Sequence, residues 1–234
     1  MAAARAKETV GATGRTLTLS TGRLIKDTLQ DRVYERLCDH ILNGEIAPGQ
    51  LVTIQAIADA FGVSAMPVRE ALQRLSAAKA LTVISGRSIG IPPLTVARLI
   101  DLRRVRLEVE TLAAQWAVGH IADGDLGRLE ACVLTMGRAA ANSDAKAFLR
   151  GNREFHFGLY QAAQSDVLYA IIESLWLQIS PFFHLLHGSG NYSHANVQHE
   201  LMLVALKARD PAAIAAALRN DIESSSKTLI SMLS

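Results

Sequence analysis

A chain of 234 residues is long for one small domain and comfortable for two, and with half its residues apolar it can bury real cores. A formal net charge of +2 excludes a nucleic-acid binder that works by bulk charge, which needs clustered Lys and Arg, although the basic surplus lies wholly in residues 1–93. Cys38 and Cys132 lack metal-type spacing and read as inert buried thiols of a reducing cytoplasm; no signal-peptide core and no run near the ~18 apolar residues of a membrane span argues otherwise.

Residues 1–22 are rich in Ala, Gly, Thr and Ser without apolar period, and are expected to be a disordered tail. A first unit follows over 23–93. "TLQD" from Thr28 has capping-box form, and Val33, Leu37 and Ile41 recur at helical spacing up to Gly44, which predicts a helix over 29–43. "EIAPGQL" is a turn. Thr53 then caps a short helix from Ile54 to Phe61, closed by Gly62. Ser64 caps a third helix to about Ala78, in which Pro67 is tolerated because first-turn N–H groups have no intrahelical partner. Two β-prone runs, Leu81–Ile84 and Ile89–Ile91, flank "SGRSIG" and read as a hairpin; Pro92 and Pro93 close the unit.

Three helices and a hairpin make a winged helix-turn-helix. In that arrangement the second helix of the pair enters the DNA major groove by its N-terminal end, which makes Ser64, Ala65, Met66 and Arg69 candidate DNA contacts. Arg69 can donate to phosphate or bidentately to guanine. Gly86, Arg87 and Ser88 are candidates at the wing, and Gln55 a further one on the preceding helix. The competing reading makes Arg69 and Arg74 no more than the solvated face of a core helix. The preceding turn, the cap and the wing together favour DNA.

From Thr95 the chain shows no strand signal. Amphipathic segments over roughly 95–120, 123–141, 144–164, 167–187, 193–208 and 211–231 predict an all-helical second unit over 94–234, with "DGD", "NSD", "QSD" and "RDP" as breaks. Asp210-Pro211 reads as an N-cap followed by Pro at the first helical position.

"ILNGEIAPGQLVTIQAIADAFGVSAMPVREALQRLSAAKAL" resembles the DNA-binding domain of GntR-family transcription regulators of the FadR subfamily, over about 31–93. The family usually has Arg where this chain has Ala65, and often Thr where it has Met66, so its common operator is not carried over. "RLEVETLAAQWA", "NREFHFGL" and "HELMLVALKARDPAAIAAALRND" are similar to the FCD ligand-binding domain that accompanies that module. The FCD resemblance implies a divalent-metal site at Asn152, His156, His199 and Asp221. Asn stands where the family has Asp, and Asp where it has the last His, so one carboxylate is kept and moved across the site. Two imidazoles and a carboxylate suit zinc, nickel or manganese, with Asn152 the weakest ligand; the competing reading makes His156 and His199 hydrogen-bonded pocket residues without an ion. Arg106 matches the family's Arg on the first helix, and would hold an effector carboxylate or, four residues on, Glu110. His184, His187, Tyr192 and His194 cluster near a helix end, at a pocket mouth or simply on the surface.

The expectation is therefore a mainly α, cytoplasmic, homodimeric regulator, a repressor that leaves double-stranded operator DNA in response to a small organic acid, with no catalytic activity and no membrane partner. A metal-dependent enzyme built on His156, His199 and Asp221 is the alternative, disfavoured because no general base sits at motif spacing and the DNA-binding unit would be left unexplained. A structural nucleoid protein is disfavoured by the modest charge.

Overall fold

The computed structural model describes residues 28–85, 88–187, 189 and 191–233. The tail expected over 1–22 lies outside the described residues, as do Gly86 and Arg87. Helix α1 (Leu29–Leu42) begins where its capping box requires: the Thr28 hydroxyl accepts the Asp31 N–H, and the Asp31 carboxylate accepts the Thr28 N–H. Its stripe of Val33, Leu37 and Ile41 is buried. Thr53 caps α2 (Ile54–Phe61), which ends at Gly62 in the left-handed conformation, φ +64°, where a side chain would be strained. Ser64 precedes α3 (Ala65–Ala77) with extended backbone, but its side chain makes no cap hydrogen bond.

The hairpin has a third strand. Strand β1 (Val52–Thr53) joins β2 (Thr82–Ser85) and β3 (Ser88–Gly90) in an antiparallel sheet of order β1-β3-β2, with Val52 opposite Ile89 and Thr53 opposite Ser88. Two residues are too few to show alternation, so the sequence carries no periodic signal for β1.

The second half is helical among the described residues: α4 (Val96–His120), α5 (Asp123–Ala141), α6 (Ala145–Gln161), α7 (Asp166–Ile179), a 3-10 segment (Ser180–Leu186), α8 (Asn191–Lys207) and α9 (Pro211–Leu233). The single helix expected over 167–187 is thus two pieces. Pro181 has no N–H for an α-type bond, so the ladder of α7 stops there and the chain tightens into 3-10 turns, with Ser180 still in helical backbone. The Asp210 side chain accepts the N–H groups of Ala212 and Ala213, which starts α9 as its cap. No described helix is long and apolar enough to cross a membrane.

Helix α6 packs on α5, α4 on α9 and α7, and α8 on α9 and α5. Gly151 lets α5 and α6 approach closely, since a Cβ there would lie 2.9 Å from Met136 Cγ. Two arginines tie the halves together. Arg153 of α6 donates to Asp39 at 2.6 Å and to Asn43 at 2.9 Å on and just after α1. Arg98 of α4 donates at 3.0 Å to the Lys79 carbonyl after α3 and at 3.0 Å to Gln178 of α7.

Candidate functional site

Two groups of candidate residues stand far apart in character. At the start of α3, Met66 is 60% exposed, and Arg69 is exposed with no ion-pair partner among the described residues. Ala65 is half-buried and Ser64 exposed. Arg74, one face round, is committed elsewhere: it donates to Asp31 at 2.9 Å, and its guanidinium lies 3.7 Å above the Tyr34 ring, tying α3 to α1. Arg74 is exposed, as the solvated-face reading has it, and its pairing on the surface braces α3 against α1. The Gln55 amide donates to Asp59 within its own helix at 2.7 Å. Ser88 is half-buried in the sheet, while Gly86 and Arg87 lie outside the described residues.

The second group converges between α4, α6, α8 and α9. His156 Nε2 lies 3.0 Å from His199 Nε2 and 3.4 Å from an Asp221 oxygen, and one ligand atom from each of the three residues falls within 4.8 Å of the others. His156, His199 and Asp221 are buried. Asn152, one turn before His156 on α6, lines the same cavity with Arg106, Trp176, Phe183 and Tyr192. All four residues of the FCD-like set are thus brought to one place. Burial drives the His199 pKa down to about 3, with the nearby His156 adding to this and Asp221 opposing it. Burial pushes the Asp221 carboxyl up, but its 3.4 Å contact with His156 and the charges of His199, His156 and Arg106 prevail and hold it below the usual carboxylate range.

Two buried imidazoles and a carboxylate at this spacing match the nitrogen and oxygen donor set of a transition-metal site, whose ion sits about 2.0–2.1 Å from each nitrogen. The residues present fit a small divalent cation.

Arg106 is only 3% exposed, so the surface Arg106–Glu110 pair is ruled out. Its Nε donates to Glu110 at 2.5 Å and its Nη2 at 3.4 Å, inside the bundle. Tyr160, not among the residues expected from the sequence, donates to Glu110 at 2.5 Å and lies 3.0 Å from His156 Nδ1. Its signal was its place one turn after His156, on the face already marked by Asn152. Trp176 Nε1 is buried without a hydrogen-bond partner. Of the later cluster only Tyr192 is buried and lines the cavity; its ring stacks on Phe148 at 4.2 Å, and His184, His187 and His194 are exposed. Cys38 is buried, with its thiol pushed up to about 11 by burial, whereas Cys132 is only half-buried.

Comparison with known proteins agrees with this architecture. Residues 29–91 match the model of bacterial regulatory proteins of the gntR family, and residues 101–224 match the FCD domain. The HTH-type transcriptional regulator McbR of Escherichia coli is 30% identical over 193 residues, 81% of this chain and 87% of that protein. The solved structure of E. coli McbR/YncC superposes with a TM-score of 0.77 at 27% identity, covering 88% of this chain and 97% of that one. A GntR regulator from Rhodococcus, at 22% identity and a TM-score of 0.71 over 86% of this chain and 97% of that one, shares the fold. The metal-dependent enzyme reading yields to these relatives, all named as regulators. The chain is a DNA-binding transcriptional regulator that belongs to the GntR family, FadR-like subfamily, with a winged helix-turn-helix followed by an FCD domain.

Proposed function

We propose that the chain is a homodimeric repressor whose operator binding is released by a small organic acid, held with a divalent cation in the cavity between α4, α6, α8 and α9. The observation that carries this reading is the meeting of His156, His199 and Asp221 beside a cavity that His156 and Asp221 line together with Arg106 and Trp176, whose indole N–H is unpartnered. The ion supplies the charge that draws a carboxylate. Arg106 spends two of its five N–H donors on Glu110, and the remainder serve the acid. On the DNA side Ser64, Ala65, Met66 and Arg69, with the wing, read the operator, and two copies are needed because one short helix reads too few bases.

The cavity volume, about 30 Å³, holds an ion or a water, whereas ligand pockets run to roughly 300–1,000 Å³. An acid therefore enters only if the helices move apart, and two of them reach the DNA-binding half, α4 through Arg98 and α6 through Arg153. Displacement of α6 pulls on Asp39 and Asn43, hence on α1, and through Arg74 and Asp31 on α3. Cavity expansion and DNA release become one event. Calorimetry with small mono- and dicarboxylates, before and after chelation, tests the site: tight binding lost on chelation is expected, and equal binding without metal contradicts it. Sedimentation of the full chain at micromolar concentration is expected to show a dimer.

A further inference from the structure

Resting on the reading of His156, His199 and Asp221 as a cation site, we propose that Tyr160 is a positioning residue that fixes the tautomer of His156, so that His156 keeps its proton on Nδ1 and turns an unprotonated Nε2 toward His199 and Asp221. Within the cation-ligand set Asp221, 3.4 Å from His156 Nε2, draws the proton the other way, so the setting comes from outside that set.

The inference follows from counting protons along one buried line. Arg106 has donors only, and it gives two of them to Glu110. Glu110 therefore accepts from Arg106 and accepts again from Tyr160, at 2.5 Å. A phenol has one proton. Once that proton points at Glu110, the Tyr160 oxygen can only accept from its other neighbour, which is His156 Nδ1 at 3.0 Å. A neutral imidazole carries one N–H, so placing it on Nδ1 leaves Nε2 as a lone pair, and Nε2 is the atom 3.0 Å from His199 Nε2.

His199 shows what the line is for. Its Nδ1 is buried with no hydrogen-bond partner, so nothing comparable sets its tautomer. Without an ion, the two Nε2 atoms share one proton, donated from His199 to His156. With an ion, His199 moves its proton to Nδ1 while His156 is already poised. Ligating histidines held by an outer hydrogen bond in this way bind metal more tightly, and loss of such a partner costs about 10–100-fold in affinity. The line also joins α4, which carries Arg106 and Glu110, to α6, which carries Tyr160 and His156, across the cavity wall.

The test uses the full-length protein and Tyr160→Phe. Long-range nitrogen–proton correlation of the histidine rings in chelator-treated wild-type protein is expected to show His156 protonated on Nδ1, and in Tyr160→Phe a shift toward Nε2 protonation. Zinc titration against a competing chelator is expected to show about 10–100-fold weaker binding in Tyr160→Phe. A purely structural role for Tyr160 would not move the ring protonation pattern. His156 protonated on Nε2 in wild-type protein overturns the proposal, whether or not the variant folds; so does a variant with unchanged tautomer and unchanged zinc affinity. Wild-type protein that binds no zinc while His156 is protonated on Nδ1 sinks the cation reading and supports the tautomer assignment.

Discussion

At the tip of α3, Arg69 and Met66 face solvent and no described acidic group pairs with Arg69, whereas between α4, α6, α8 and α9 Arg106, Glu110, Tyr160, His156, His199 and Asp221 are buried and engage one another. The difference separates two kinds of contribution. An exposed arginine realises its hydrogen-bonding energy only when a partner molecule arrives, so its removal registers in binding and not in folding. A buried ionic line is satisfied in the folded chain itself, so breaking it registers first in stability.

The largest expected effect breaks the buried side. Glu110→Ala strands Arg106 inside the bundle and should cost about 3–5 kcal/mol in chemical denaturation; a loss no greater than that of a surface substitution would contradict the buried pairing. Acid attacks the same region through His199. Its folded pKa of about 3 lies below the unfolded value of 6.5, so the unfolded chain binds the extra proton between them. Stability from this residue is full above pH 6.5 and falls as pH drops toward 3, and Asp221, also held low, adds loss of the same sign further down. Denaturation of metal-free protein across this range should show the slope, and His199→Gln should flatten it.

On the exposed side, Arg69→Ala should weaken operator binding by about 1–3 kcal/mol per half-site while leaving the denaturation midpoint unchanged. A mobility-shift titration on the protein's own upstream region measures this, and equal affinity would remove α3 from the groove.

These two regions also differed in how much their residues disclosed beforehand. Helices α1, α2 and α3 were legible because caps at Thr28 and Thr53 and stops at Gly44 and Gly62 act within a few residues of themselves. The cation set was legible only through family resemblance, since residues 156, 199 and 221 meet by tertiary packing that no local period encodes. Tyr160 and Arg153 stayed hidden for the same reason. Each looks like an ordinary helical residue until α4 is set beside α6, and α6 beside α1. The break at Pro181 was readable and was passed over inside an apolar run.

A small stability effect is expected where the two regions join. Arg153 pairs with a half-exposed Asp39, so Arg153→Ala should cost at most about 1 kcal/mol of stability. Its consequence is a loss of communication: acid binding by calorimetry should survive while its effect on DNA affinity shrinks.

The central claim is that what occupies the cavity sets the affinity for DNA. It is tested most directly by fluorescence anisotropy of a labelled upstream duplex with the full-length protein, zinc-loaded or chelated, across a panel of small carboxylates. The account predicts that an acid which binds the zinc-loaded protein weakens its hold on the duplex, and that chelation abolishes the effect. Unchanged DNA affinity with the acid demonstrably bound would contradict it.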